Sequence, residues 1–202
     1  MSGATIRLFV ALELPPQTRE ALAEIATRLR AASPPAVRWV HPAGIHLTLK
    51  FIGEVDRAMV EGIRAALAAV RSAHPVETCF RGLGWFPNPR HPRVLWAGVE
   101  AGSELAELAG AIEHALEPLG IARENREFSP HLTLARIKEP KGLERLRQEV
   151  ETAGLPDFGR AEYAEFDLME SVLRPQGAVY TRVEKFAFAS VAAPAVARGR
   201  AQ

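Results

Sequence analysis

The sequence predicts a mixed fold of strands and helices in two related halves that face one shared cleft, and three observations predict it. The tetrapeptide His46-Leu47-Thr48-Leu49 recurs as His131-Leu132-Thr133-Leu134, 85 positions on. A longer repeat surrounds it at nearly the same offset. Arg7-Leu8-Phe9-Val10-Ala11 corresponds to Arg93-Val94-Leu95-Trp96-Ala97, and Val76 and Arg160 open comparable segments. Finally, segments of period two alternate with segments of helical period in each half. The reading is one bilobal unit over 1–188, with halves of about 5–84 and 93–188, each ordered strand, helix, His-Thr strand, helix, strand. An approximate two-fold relation between the halves turns both His-Thr faces toward one cleft.

Ile6 to Leu14 reads as the first strand, stopped by Pro15-Pro16, which suit the opening of a helix. Leu22, Ile25, Ala26 and Leu29 then recur at helical spacing, and the helix must stop before Ser33-Pro34-Pro35. Val37 to Val40 is a short strand, and Ile45 to Ile52 is the first His-Thr strand. Asp56 suits the N-cap of a helix that turns Val60, Ile63, Leu67 and Val70 inward. A strand from Val76 to Leu83 follows. Gly84 to Pro92 carries too many prolines for a central strand and reads as an exposed loop joining the halves.

The second half opens with Arg93 to Val99. Ser103 is placed to cap a helix bearing Leu105, Leu108, Ile112 and Leu116, with Gly120 at its end. The second His-Thr strand runs to about Ile137. Leu143, Leu146 and Val150 mark a fourth helix ended by Gly154, and strands near Ala161 to Leu173 and Val179 to Phe188 complete the pattern. The small, polar tail from 189 to 202 is expected to be disordered.

Composition narrows the function. With 202 residues, 48% of them hydrophobic, the chain can bury a sizeable core. Its net charge of +1 supplies no global basic field, so any anion site is local. A single cysteine, Cys79, rules out an intramolecular disulfide and reads as a small buried hydrophobe. No apolar run reaches the length that spans a bilayer, and Met1 to Thr5 lacks a signal pattern, so a soluble cytoplasmic protein without membrane association is expected.

In a strand, alternate side chains share a face, so each tetrapeptide anchors two leucines on one side and presents His and Thr on the other. One His-x-Thr describes many ordinary half-buried strands; two identical copies in a repeat are a different matter. Imidazole titrates near neutral pH, so a pair can supply an acid and a base together. The threonine hydroxyls lie on the same faces, suited to holding phosphate oxygens. This is a phosphoryl-transfer constellation that needs no cofactor. His41, His74 and His91 precede prolines in turns, His114 sits on a helix surface, and no metal-ligand spacing occurs, so no metal is expected.

These residues carry a resemblance. The chain resembles the 2H phosphoesterase superfamily, named for paired HxTx motifs, and within it the LigT-like RNA 2′,3′-cyclic phosphodiesterases long called 2′-5′ RNA ligases. The likeness runs from Arg7 to Leu12, through Trp39-Val40, His46 to Val55 and Phe128 to Arg136, to Ser171-Val172-Leu173 and Tyr180. It implies a bilobal α+β fold with antiparallel sheets and outer helices lining a cleft. The implied activity is hydrolysis of RNA 2′,3′-cyclic phosphate ends to 2′-phosphomonoesters, with reversible ATP-independent 2′-5′ ligation by the same chemistry. The implied roles are His46 as proton donor and His131 as proton acceptor, with Thr48 and Thr133 on the non-bridging oxygens.

Substrate contacts are sought nearby. Arg136 and Lys50 continue the motif strands and suit phosphate, although simple alternation sets Arg136 opposite His131 unless the strand bulges. Phe9 is a candidate for stacking on a base or for filling the core. Arg126 and Tyr180 are candidate RNA contacts. The expected partner is RNA ending in a 2′,3′-cyclic phosphate, from tRNA fragments or oligonucleotides, acted on by a monomer. Two rivals share the pattern: a phosphodiesterase for small cyclic nucleotides or ADP-ribose cyclic phosphate, and a non-catalytic module that binds RNA ends.

Overall fold

The structure, a computed structural model, describes residues 4–174 and 177–188; the expectation for the tail from 189 lies outside these residues. Among the described residues the strands are β1 (Thr5–Glu13), β2 (Val37–Trp39), β3 (His46–Asp56), β4 (Val76–Phe86), β5 (Val94–Ala101), β6 (His131–Ile137), β7 (Asp157–Tyr163), β8 (Glu165–Arg174) and β9 (Gly177–Ala187). The helices are α1 (Pro16–Arg30), α2 (Val60–Ala68), α3 (Ser103–Leu116) and α4 (Glu144–Ala153).

All strand pairs are antiparallel, in the order β7-β4-β5-β6-β3-β1-β8-β9, with β2 pairing the far part of β6. The two His-Thr strands stand at the centre and touch at the single residue pair Leu47–Leu132. One lobe is therefore β3-β1-β8-β9 and the other β6-β5-β4-β7, so the α+β bilobal architecture is present. The spatial lobes are not the sequence halves. β4 of the first repeat crosses to sit between β5 and β7, while β8 and β9 of the second cross to extend the sheet beyond β1.

The helices cross as well. α1 buries Leu22, Ile25, Ala26 and Leu29 and packs on β7 and α4. α3 buries Leu105, Leu108, Ile112 and Leu116 and packs on β3 and α2. The leucines of both motifs, Leu47, Leu49, Leu132 and Leu134, lie in the core beneath these helices. Burying side chains of this size contributes about 1.5–3 kcal/mol each, which fixes the register and so the face that His and Thr present.

Three elements differ from the sequence expectation. β4 continues through Gly84, Trp85 and Phe86, whose partners on β5 are Trp96, Leu95 and Val94, so the prolines begin only where the ladder ends. The strand expected over Ala161 to Leu173 is two strands, broken at Ala164, that belong to opposite lobes. Ser103 is the first helical residue and Gly102 the cap position, with no side-chain cap bond. Asp56 does cap: its carboxylate accepts from the Ala58 N–H at 2.9 Å, opening the 3-10 turn that leads into α2.

Candidate active site

The Leu47–Leu132 pair sets the geometry. In an antiparallel register, one step to either side brings His46 across from Thr133 and Thr48 across from His131. Both leucines are fully buried on the helix side. The four polar side chains consequently share the opposite face, in two His-Thr rows related by an approximate two-fold axis through the leucine pair.

Each motif strand bulges just beyond its threonine. On β3, Thr48 pairs with Ala11 and Lys50 with Val10, so Leu49 is the extra residue. On β6, Thr133 pairs with Trp96 and Ala135 with Leu95, so Leu134 is the extra residue. A bulge shifts the alternation by one. Ala11 and Phe9 lie two apart on β1, so Phe51, the partner of Phe9, shares the face of Thr48. By the same logic Arg136, partner of Val94, shares the face of Thr133.

The bulges decide two of the expected contacts. Arg136 is exposed on the cleft face, and its charge reaches His46. Lys50 is corrected: it turns to the helix side, where it is 2% exposed and donates to Glu113 Oε1 at 2.8 Å and to the Ala122 carbonyl at 2.7 Å. Its ammonium therefore does not face the cleft. Burial alone would push the Glu113 carboxyl up, but its bonds from Lys50 and from the Glu124 N–H outweigh that and hold it below the usual carboxylate range.

The two imidazoles are held alike. His46 Nδ1 lies 2.8 Å from the Gly44 carbonyl, and His131 Nδ1 lies 2.8 Å from the Ser129 carbonyl. A carbonyl only accepts, so each Nδ1 carries the proton and each Nε2 is left for chemistry. The ring of His46 stacks on Phe9, with centroids 4.6 Å apart, and meets the edge of Tyr180 at 5.0 Å. His131 meets the edge of Phe86 at 4.9 Å. Burial pushes the His46 imidazole down to about 4 against the opposing effect of the Gly44 carbonyl, and the Arg136 guanidinium lowers it further. His46 is thus neutral at pH 7.

Phe9 and Tyr180 are brought to the site, in different ways. Phe9 is 1% exposed, so it is the floor under His46 and not a base-stacking surface. Tyr180 is half-buried over Gly44, where a Cβ would come within 3.1 Å of its ring, so a larger residue there would push the ring by a few tenths of an ångström. Arg126 is exposed on the segment leading into β6, and no described contact joins it to either histidine.

Sequence reasoning passed over Phe51, Phe86 and Trp96. Phe51 is 44% exposed on the cleft face, with the Arg7 guanidinium 5.0 Å from its centroid. Trp96, opposite Thr133, lies flat on Gly84, where a Cβ would come within 2.2 Å of the indole. Phe51 and Phe86 were hidden by an uncounted bulge and by a strand read too short, and an alternation count allowing one extra residue after each threonine would have found Phe51.

No helix among the described residues is long and apolar enough to cross a membrane. The sequence matches the family described as LigT like Phosphoesterase twice, over residues 12–96 and 98–180, each match holding one His-Thr motif. A protein named RNA 2′,3′-cyclic phosphodiesterase from Archaeoglobus fulgidus is 36% identical over 181 residues, covering 90% of this chain and 99% of that protein. The crystal structure of TT0787 of Thermus thermophilus superposes with a TM-score of 0.76 at 34% identity, covering 91% of this chain and 98% of that one. E. coli LigT complexed with 3′-AMP gives 0.72 at 26% identity, covering 92% and 99%. With a double match spanning nearly the whole repeat, a relative of this identity over nine-tenths of the chain and the same fold, this chain belongs to the LigT-like phosphoesterase family.

Proposed function

We propose that this chain is a hydrolase that opens 2′,3′-cyclic phosphate ends of RNA to 2′-phosphomonoesters, with His46 and His131 as its acid and base. The observation that carries this reading is the pair of imidazoles, each with Nδ1 tied to the carbonyl two residues back and Nε2 left for the cleft, one on each side of the Leu47–Leu132 axis. The names of the relatives support the cyclic phosphodiester as the reacting group.

Phosphoryl transfer places the attacking and leaving oxygens in line on opposite sides of phosphorus, so base and acid must come from opposite walls. Water attacks while His131 Nε2 takes its proton. The P–O3′ bond breaks as His46 Nε2 gives a proton to the departing O3′. Thr48 and Thr133 donate to the non-bridging oxygens, where preorganised donors act with little reorganisation, and Arg136 offsets the phosphate charge. A 5′-hydroxyl in the place of water yields a 2′-5′ linkage without ATP, which is the proposed ligation.

The acid role of His46 requires a step before chemistry. Its imidazole is neutral at pH 7, depressed first by burial and then by Arg136. A bound phosphate anion offsets the smaller effect of Arg136 and draws a proton to the imidazole against the larger effect of burial, so binding works to load the acid. The depressed value also favours a second reading in which the roles are exchanged. A substrate with sulfur in place of O3′ distinguishes them, since a thiolate leaves without a proton. Rescue of His46→Ala but not His131→Ala on that substrate is the expected result; rescue of His131→Ala alone exchanges the roles.

The primary test is hydrolysis of a short RNA ending in 2′,3′-cyclic phosphate with EDTA present. Wild type should give the 2′-phosphate, and both alanine variants should lose nearly all turnover. Binding of that RNA without turnover would hand the cleft to the binding-module or small-nucleotide reading.

A further inference from the structure

The cleft face carries a second arginine beside Arg136. β2 takes over the edge of β6 where β3 diverges, with Val37 opposite Ile137, Arg38 opposite Arg136 and Trp39 opposite Ala135. Directly opposed residues in an antiparallel pair share a face. Val37 and Ile137 are buried on the helix side, whereas Arg38 and Arg136 are both exposed. Since the bulge at Leu134 puts Arg136 on the face of Thr133, it puts Arg38 there too.

Like charges placed directly across a ladder destabilise it. Among the described residues neither Arg38 nor Arg136 has a carboxylate within ion-pairing distance, although other surface arginines of this chain do. The pair is an uncompensated dication on a surface whose other polar groups are suited to phosphate. In the opposite lobe the corresponding cation is Arg7, which lies opposite Glu54 on the ladder, with its guanidinium 5.0 Å from the Phe51 ring, and is not paired with a second arginine. The two-fold counterpart of Arg136 is Phe51, half-exposed and apolar, backed by Phe9. The His-Thr rows are symmetric about the leucine axis, and beyond them the β6–β2 side carries two directly opposed arginines where the β3 side carries Phe51 with Arg7 over its ring.

Resting on the proposed hydrolysis of RNA ends, we propose that Arg38 binds the phosphodiester on the 5′ side of the terminal nucleotide, while Arg136 serves the reacting phosphate. The two cations then track two consecutive phosphates, and the strand leaves the cleft over β6 and β2. The chain is accordingly selective for oligonucleotide ends over a mononucleoside cyclic phosphate. Arg38 is a specificity residue and takes no part in bond making or breaking.

The test is the ratio of kcat/KM for ApA ending in a 2′,3′-cyclic phosphate to kcat/KM for adenosine 2′,3′-cyclic phosphate, measured within each protein. One charge-assisted contact to phosphate corresponds to about a tenfold preference. Wild type should favour the dinucleotide by about that factor, Arg38→Gln should bring the ratio close to one, and Arg38→Lys should recover part of it. The salt dependence of the dinucleotide reaction should fall by about 0.7 in log–log slope in Arg38→Gln. A wild type with no preference, or an Arg38→Gln variant that keeps the ratio, overturns the proposal. Should wild type turn over neither substrate, the hydrolytic reading fails separately. Calorimetric binding of ApAp against 3′-AMP then decides Arg38: loss of the preference for ApAp in Arg38→Gln supports the site, and equal preference in both proteins overturns it.

Discussion

Leu47 sits directly across the ladder from Leu132, and through that pair the two motif strands meet. Both side chains are fully buried. Truncating either to alanine leaves a cavity at the symmetry axis and should cost about 3 kcal/mol of unfolding free energy by urea denaturation. Because the pair carries the spacing of both His-Thr rows, the two variants should also lose similar activity. A large activity loss in one alone would argue against a shared axis.

On the proposed acid–base roles, removing the imidazole of either His46 or His131 should lower kcat/KM by about a hundredfold to ten-thousandfold. Thr48→Val and Thr133→Val each remove a hydroxyl proposed to donate to the phosphate and should cost about a hundredfold, with thermal stability little changed because both residues are only half-buried. Steady-state rates on a defined cyclic-phosphate RNA check both sets.

The depressed His46 imidazole links stability to pH. Above about pH 6.5 it is neutral in folded and unfolded chains alike. Between 6.5 and about 4 the unfolded chain takes up a proton that the folded chain refuses, so the folded state loses stability as the pH falls through that window. The loss amounts to at most about 3 kcal/mol. His46→Gln should lack this component, so urea midpoints of wild type and variant should converge or cross as the pH falls from 7 to 4.

Arg136 contributes to that depression, after burial. Arg136→Met should therefore raise the His46 pKa in the free protein, read by NMR titration of its ring protons, while weakening binding of phosphate. In wild type, binding of a 2′-phosphate product near pH 6 should take up protons, seen as a dependence of the calorimetric heat on the ionisation enthalpy of the buffer. Proton release would contradict the loading of His46 by its ligand.

Lys50 and Glu113 form a pair whose side chains are 1% and 13% exposed. Lys50→Met leaves the carboxylate without its main cation and should cost about 3 kcal/mol. Adding Glu113→Leu should recover much of that loss, because the pair and a well-packed apolar replacement are close in free energy. The double-mutant cycle by denaturation measures the coupling.

Much of this was legible in the residues. The repeated tetrapeptide located both histidines and threonines, constant offset with alternating periods gave two related halves facing one cleft, and the family resemblance supplied the bilobal α+β plan. Lys50 was misread because each motif strand gains one residue right after its threonine. Leu49 and Leu134 look like ordinary members of an alternating run, and only pairing with β1 and β5 reveals them as extra. The same insertion that hides Lys50 in the core returns Arg136 to the cleft. Phe9 looked like a candidate platform because alternation gives its face but not the ring of His46 that covers it. The break at Ala164 was invisible because β7 and β8 have equally good strand composition, and their separation depends on partners distant in sequence.

The crossing of β4, β8 and β9 has a consequence for ancestry and for dissection. Each repeat gives its closing strand to the sheet opened by the other, and α1 and α3 likewise lie against the neighbouring half. That is the arrangement of a domain-swapped dimer whose two copies have been joined head to tail. A chain nicked between Pro87 and Pro92 yields two fragments, neither holding a whole sheet, that should regain structure only on being mixed. Fusion of such a swapped pair frees one copy's surface to diverge while its twin stays put, which is how a doubled motif can acquire a phenylalanine on one side and an arginine on the other.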